Sequence, residues 1–152
     1  MGSKKGFTLL EIVIAIIVLV VLMTVGISLY YAYIKQSYGN SIRNIISALT
    51  QAITLYYQDT NQYPSRLEDL EKNPGVNGWA GAYTNYPISN NQIALANQRI
   101  VITYQKSVSG NTLNCGYVSN RPALILKNYA DPPKVEGLCI MKKGSDTYYI
   151  LP

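Results

Sequence analysis

One carboxylate, Glu11, interrupts the start of a long apolar segment near the beginning of the 152-residue chain. Residues 12–23 are all apolar, and Val25, Ile27 and Leu29 continue the segment. A stretch of about eighteen such residues is long enough to cross a bilayer as a helix, and an ionised carboxylate inside that span costs about 2.5–3.5 kcal/mol. The charge therefore requires a compensating partner, on this chain or on another.

The other residue types that carry catalysis or bind metals are sparse. The chain has no histidine, and its two cysteines, Cys115 and Cys139, lie far apart without forming a CxxC pair. This composition argues against a zinc site and against histidine-based catalysis. Asp131 is isolated before two prolines, and the acidic residues at 68–71 are typical of the solvated face of a short helix. We predict no catalytic residue, no metal site and no cofactor, and a protein that is not an enzyme.

The net charge of +5 is modest, with 13 basic and 8 acidic residues spread along the chain. Nucleic-acid-binding domains usually show clustered lysine and arginine, so nucleic acid is left as a partner that the sequence does not support. The 14 tyrosines, against one phenylalanine and one tryptophan, suit half-buried strands and interfaces because tyrosine is apolar in its body and polar at its tip.

The elements that position these residues begin with a long helix. After the apolar segment, apolar residues recur at spacings of three and four and form one stripe. They are Ile42, Ile45, Ile46, Leu49, Ile53, Tyr56 and Tyr57. No proline lies between Phe7 and Tyr63. We therefore predict one unbroken helix, membrane-spanning over residues 7–34 and amphipathic over residues 35–60.

The charges around the apolar segment predict its orientation in a membrane. Lys4 and Lys5 precede it, and Lys35 is the first charge that follows it. The positive-inside rule then places Met1 in the cytoplasm and the chain beyond about Tyr33 on the other side. The alternative is an ordinary secretory signal peptide, but the apolar run is too long for one and the helical pattern continues past it.

The rest of the chain predicts a loop followed by a small antiparallel sheet. Residues 61–98 are rich in turn-forming residues, although "PSRLEDL" favours a short helical turn that starts at Ser65. "RIVITYQ" and "TLNCGYVS" predict a hairpin with its turn at "VSGN", and "LCIMK" and "TYYIL" predict a second hairpin around "KGSD". Residues 122–129 are ambiguous between strand and short helix. We predict an α+β fold: the long helix packs on a sheet within residues 99–152, in a soluble head spanning residues 35–152.

A family resemblance rests on Gly6-Phe7-Thr8-Leu9-Leu10-Glu11, which follows a short basic leader and precedes the long apolar helix. This segment resembles the type III signal of type IV prepilins and of type II secretion pseudopilins. The resemblance implies the type IV pilin fold, cleavage of the leader (residues 1–6) by prepilin peptidase between Gly6 and Phe7, and N-methylation of the new Phe7 amine.

The same resemblance implies a role for Glu11. In pilin filaments the apolar helices stay on the mature subunits and form the core, so Glu11 is expected to meet the Phe7 amine of a neighbouring subunit. Removing one member of such a desolvated pair leaves the other charge buried without a partner. The pair is therefore specific for one register of assembly.

Two further stretches are similar to family segments. "ALTQAITLYYQDTNQYPSRLEDL" (residues 48–70) resembles the helix end and Tyr-Pro turn of major pseudopilins and related thin pilins, and "GWAGAY" (residues 78–83) resembles their Trp-x-Gly-Pro-Tyr loop. Tyr63, Pro64, Trp79 and Tyr83 in these stretches are expected to pack the loop onto the helix.

Two features depart from the family pattern. Ser28 lies near the position where many relatives have a helix-unwinding proline, so unwinding here would depend on Gly26. The C-terminal region has only Asp146 where major pseudopilins usually carry an acidic calcium loop, which is too few oxygens for a hard cation. An even pair of cysteines on the non-cytoplasmic side favours a disulfide between Cys115 and Cys139, which would take the place of the calcium loop. Two unpaired thiols are the alternative.

These observations predict a structural subunit of a type IV pilus-like filament. It would sit in the inner membrane as a single-pass protein before assembly and in a cell-surface pilus afterwards. The expected partners are copies of itself, other pilins, the prepilin peptidase/N-methyltransferase, an inner-membrane assembly platform and lipid. The alternative is a pseudopilin of a type II secretion fibre. A membrane-tethered binding module or enzyme would not explain Glu11.

Overall fold

A computed structural model describes residues 6–95 and 100–152. The chain divides into two compact units, Met1–Asn40 and Ser41–Pro152. One helix, α1 (Leu9–Thr60), begins in the first unit and ends in the second. The part of the predicted leader that includes Lys4 and Lys5 lies outside the described residues.

In the first unit α1 is long and apolar enough to cross a membrane, and none of its most apolar window is buried inside the chain. The large apolar side chains between Leu9 and Tyr33 are 43–83% exposed. A protein in water rarely exposes so much continuous apolar surface, so this stretch requires lipid or other helices around it. The predicted apolar helix is confirmed.

In the second unit one stripe of α1 is buried. Its buried residues are Ile42, Ile45, Ile46, Leu49, Ala52, Ile53 and Tyr56. Their spacing of three and four places them on one face of the helix, as the sequence predicted. Tyr57, assigned to the same stripe, is 39% exposed and stacks on the ring of Tyr63 instead.

The sheet is antiparallel and has five strands in the order β1-β2-β3-β5-β4. The strands are β1 (Gln92–Leu95), β2 (Ile100–Asn111), β3 (Tyr117–Lys127), β4 (Cys139–Lys143) and β5 (Asp146–Ile150). Its inner face supplies Ile93, Ile102, Leu124, Leu126 and Tyr149 to the same core as the buried stripe of α1. The predicted α+β class, a long helix with a small antiparallel sheet, is confirmed.

The sheet differs from the prediction at its first strand. Residues 61–98 were expected to be loop apart from one helical turn, but Gln92–Leu95 pairs with β2 as strand β1. Only Ile93 of this strand is fully buried, opposite Ile102. A four-residue strand with one buried side chain gives too little alternation to be recognised from sequence.

The first hairpin also turns later than predicted. "VSGN" belongs to β2, and the turn lies at Thr112–Gly116, within the stretch assigned to the partner strand. The pairing of β2 with β3 shifts register on both sides of Val108. Such bulges bend a strand without ending it, so the turn residues "VSGN" mark a bend. Residues 122–127 of the ambiguous segment are strand.

The helical turn before the sheet is the 3₁₀ helix η1 (Leu67–Leu70). Its N-cap is Arg66, one residue later than the predicted start at Ser65. The buried carboxylate of Asp69 accepts hydrogen bonds from the backbone N–H groups of Ser65 (2.7 Å) and Arg66 (3.1 Å), which fixes the start of the turn.

Candidate assembly site

The carboxylate of Glu11 has a partner on its own chain. Its Oε2 accepts hydrogen bonds from the backbone N–H and the hydroxyl of Thr8, each at 2.9 Å. The Glu11 N–H lies 3.3 Å from the Thr8 hydroxyl oxygen, which accepts from it. Thr8 directly precedes α1, so Thr8 and Glu11 form a reciprocal capping box at the start of the helix.

The cap places the Glu11 carboxylate where its own helix stabilises the negative charge. The helix N-terminus has unsatisfied N–H groups and the positive end of the helix dipole, and both stabilise a carboxylate. The sequence carries this signal as Thr8-Leu9-Leu10-Glu11, which has the Ser/Thr-x-x-Glu spacing of a capping box, although the apolar surroundings of Glu11 point first to an amine partner.

The cap leaves part of the carboxylate available. Among the described residues, the hydrogen bonds that the Glu11 side chain accepts all end on Oε2. A carboxylate has about four acceptor positions, so Oε1 can receive a further donor. Phe7, next to the capping residue, is 84% exposed. This end of the helix therefore presents an aromatic ring and a partly engaged carboxylate to the surroundings.

Gly6 precedes this site in a position without packing constraints. A Cβ atom built on Gly6 would meet no other atom within 4 Å. The fold of the described chain does not require a small residue here, so any requirement for glycine must come from a molecule that acts on this segment.

The polar residues inside the apolar helix are satisfied locally. The hydroxyl of Thr24 donates to the carbonyl of Val21 (2.8 Å), and the hydroxyl of Ser28 donates to the carbonyl of Thr24 (2.9 Å). Hydroxyls bonded to their own helix carry little desolvation cost into lipid. α1 is continuous through Gly26 in this structure.

The turn of the β2–β3 hairpin is fastened to the sheet edge. Cys115 and Cys139 form a disulfide, as predicted. Beside it, the Leu113 N–H donates to the carbonyl of Ile140 (2.7 Å), and the Ile140 N–H donates to Oδ1 of Asn114 (2.8 Å). The hairpin turn therefore pairs with β4, the last strand of the sheet. Nothing in the sequence distinguished Asn114 as a residue that pairs with a strand edge.

The "GWAGAY" loop packs on the end of α1, in agreement with the packing role that was expected. The Tyr83 hydroxyl donates to the Asp59 carboxylate (2.9 Å), and the Trp79 indole N–H donates to the carbonyl of Asp69 (3.1 Å). Gly78 has φ +88°, and a Cβ there would collide with the backbone carbonyl of Asp59. Tyr63 reaches the carbonyl of Pro152 through its hydroxyl (2.9 Å).

Two comparisons with known proteins bear on this arrangement. The family model described as the prokaryotic N-terminal methylation motif matches residues 1–27. A protein named type II secretion system core protein G, from Xanthomonas campestris pv. campestris, is 32% identical over 83 residues. The chain therefore carries an N-terminal methylation motif and is similar to a type II secretion protein, in agreement with the resemblance that the sequence predicted. The second match covers 54% of this chain and 58% of the relative's length. No solved structure matches the chain.

Proposed function

We propose that this pilin-like protein is a structural, non-enzymatic subunit of a type IV pilus-like filament that polymerises through its N-terminal helix. The observation that carries the proposal is the apolar surface of α1 in the first unit, which the described residues leave exposed. A bilayer can cover this surface before assembly. The apolar helices of other subunits can cover it in a filament, as in the interior of a helical bundle.

The proposed maturation uses the segment before α1. Prepilin peptidase would cut between Gly6 and Phe7 and methylate the Phe7 amine, leaving α1 on the mature protein. The match of residues 1–27 to the N-terminal methylation motif supports this, as does the absence of any packing reason for glycine at position 6. Before assembly the protein would span the inner membrane once, with its N-terminus in the cytoplasm.

The proposed assembly contact joins Glu11 to the Phe7 amine of a neighbouring subunit. Cleavage turns a neutral amide into a cation, and the exposed Phe7 brings that cation to the outside of the helix end. Oε2 of Glu11 stays with the cap of its own helix, and Oε1 accepts from the incoming amine. The cap fixes the side-chain rotamer of Glu11 in advance, which lowers the entropy cost of forming the contact.

The second candidate is a pseudopilin of a type II secretion fibre. The similarity to type II secretion system core protein G favours it. The pilus is favoured by the disulfide that fastens the distal turn and by the C-terminal segment, in which Asp146 is engaged by Lys127 (2.9 Å). Deleting the gene separates the two candidates: loss of sheared surface fibres indicates a pilus, and loss of protein secretion with surface fibres intact indicates a pseudopilus.

The assembly role of Glu11 is tested with three variants that separate its charge from its capping. Glu11→Gln keeps an N3 side chain able to complete a capping box but removes the charge. Thr8→Ala removes the cap but keeps the charge, and Glu11→Ala removes both. We expect Glu11→Gln and Glu11→Ala to accumulate in the membrane as processed but unassembled protein. Thr8→Ala, by contrast, should still assemble.

The measurement is the amount of subunit in sheared-fibre and membrane fractions, with intact mass confirming a chain that begins at methylated Phe7. Normal fibre yield from Glu11→Gln would contradict the charge pairing. Equal losses of fibre yield in Thr8→Ala and Glu11→Gln would indicate that Glu11 acts only as part of the helix cap. A chain that begins beyond Gly26 would show an ordinary secretory signal instead of a retained helix.

A further inference from the structure

Three tyrosines lie at one level of α1 in the first unit. Tyr30, Tyr31 and Tyr33 fall within a single helical turn and are 63–69% exposed. Besides them, the segment between Phe7 and Tyr38 contains no aromatic residue. At about 100° per residue, the three side chains point in directions spread over about 160° of the helix circumference. We call this group of rings, which lies across the helix axis, the tyrosine band.

The tyrosine band differs from the pattern that a neighbouring helix would require. A helix that packs on protein repeats its contact residues along the axis at spacings of three and four, as the buried stripe of the second unit does. The band is instead confined to one turn, and the apolar residues 12–23 before it cover all sides of the helix. A planar boundary meets the different sides of a crossing helix at one height. The surface of a bilayer is such a boundary.

The band also lies about one hydrocarbon thickness from the capped end of the helix. Glu11 and Tyr30 are 19 residues apart, which is about 28 Å at 1.5 Å per residue. The hydrocarbon core of a bilayer is about 30 Å thick. Thr24 and Ser28 are the only polar residues between positions 12 and 29, and both donate to carbonyls of their own helix. Groups that favour water therefore begin at both ends of a segment that matches the membrane.

Building on the membrane stage of the proposed function, we infer that the tyrosine band binds the headgroup region of the extracytoplasmic leaflet and fixes the depth of α1. Each ring would lie against acyl chains, with its hydroxyl among headgroups and water. The Thr8–Glu11 cap then lies at the cytoplasmic interface, where water still solvates the carboxylate. The Gly6–Phe7 bond just before the cap is kept outside the hydrocarbon core.

Replacing the band by leucine changes the length of the apolar segment. The apolar run would continue through Ile34 to the residue before Lys35, which adds five residues, or about 7.5 Å. The lengthened run would exceed the hydrocarbon thickness. Re-centring it in the bilayer would move the N-terminal end of the helix out of the hydrocarbon by half the added length, about 4 Å.

The depth is measured on the full chain in vesicles of dioleoylphosphatidylcholine. Leu10→Cys carries a nitroxide spin label beside the cap, at a position that is 67% exposed. The native cysteines are held in their disulfide and do not react with the label. Collisions of the nitroxide with oxygen, which concentrates in hydrocarbon, are compared with collisions with a water-soluble nickel chelate. Two protein-to-lipid ratios separate a contact with lipid from a contact between copies.

Three variants share this label. Tyr30→Leu/Tyr31→Leu/Tyr33→Leu removes the band. Tryptophan at the same three positions keeps rings with an apolar body and a polar group. The control, Tyr57→Leu/Tyr117→Leu, removes two exposed tyrosines of the second unit. Circular dichroism checks the helix content of each variant.

We expect the label of the leucine variant to move about 4 Å towards water. The tryptophan variant and the control should stay within about 1.5 Å of the wild type, the rise of one residue. Four results would overturn the inference alone: an unchanged depth in the leucine variant, an equal shift in the control, an equal shift in the tryptophan variant, or a depth that depends on the protein-to-lipid ratio. A wild-type label fully exposed to water would instead overturn the membrane stage of the proposed function, and the inference with it.

Discussion

The Cys115–Cys139 disulfide closes a loop between residues 24 positions apart, and its contribution to stability can be worked out from that length. In the chain-entropy model a loop of this size restricts the unfolded chain by about 3.5 kcal/mol at 25 °C. This is a large share of the roughly 5–15 kcal/mol that stabilises a typical domain. Replacing both cysteines by serine should therefore lower the free energy of unfolding of the second unit by about 3–4 kcal/mol.

The native arrangement of the turn should survive this change. Leu113 and Asn114 keep their hydrogen bonds to Ile140 without the disulfide, and Asn114 also donates to the carbonyl of Leu138 (3.0 Å). The loss should therefore arise mainly in the unfolded state, which becomes more extended. The dependence of the unfolding free energy on urea should become steeper, because a less constrained chain exposes more surface.

The single tryptophan provides the assay. Trp79 packs against the core of the second unit and donates a hydrogen bond to Asp69, so its fluorescence reports the unfolding of that unit. Urea titrations of the full chain in uncharged detergent compare the wild type, the wild type with reductant, and Cys115→Ser/Cys139→Ser. Reductant should bring the wild type to the stability of the variant and leave the variant unchanged. A loss below about 1 kcal/mol would refute the loop-entropy reasoning.

Three further predictions use the same assay. The Tyr104 hydroxyl is buried without a hydrogen-bond partner among the described residues, whereas the Tyr149 hydroxyl donates to Pro133 (2.7 Å). Tyr104→Phe should therefore leave stability unchanged or raise it, while Tyr149→Phe should cost about 1 kcal/mol; the opposite order would contradict this. The hydrogen bond from the Lys127 ammonium holds the pKa of Asp146 below its usual range. Because the folded pKa is the lower one, its stabilisation is present above about pH 4, the usual pKa of aspartate, and is lost as the pH falls further. Asp146→Asn should remove that part of the acid sensitivity, and an unchanged pH profile would disprove the pairing. Gly78→Ala should cost more than about 1 kcal/mol, because alanine is strained at φ +88° and its Cβ meets the Asp59 carbonyl; Gly75→Ala, at φ +83° with no atom within 4 Å, separates the backbone strain from the collision.

The parts of the fold that the sequence predicted are those with a repeated pattern. The stripe from Ile42 to Tyr56 repeats over four helical turns, and the β4–β5 hairpin has alternating strands around Gly144. Strand β1 and the course of β2 past Val108 could not be predicted in the same way. They depend on contacts between distant segments, Ile93 with Ile102 and Gly110 with Met141, which no local pattern encodes.

The same distinction applies to the candidate assembly site, where the sequence identified Glu11 and its apolar surroundings but not its partner within the chain. The cap with Thr8 and the positive end of the helix dipole both stabilise this exposed carboxylate within one chain. Packing among the apolar helices of a filament would remove the water that also solvates the carboxylate, and an ion taken out of water needs a further donor or a countercharge. Under the proposed assembly, the Phe7 amine of a neighbouring subunit supplies that countercharge in the filament and is dispensable in the membrane.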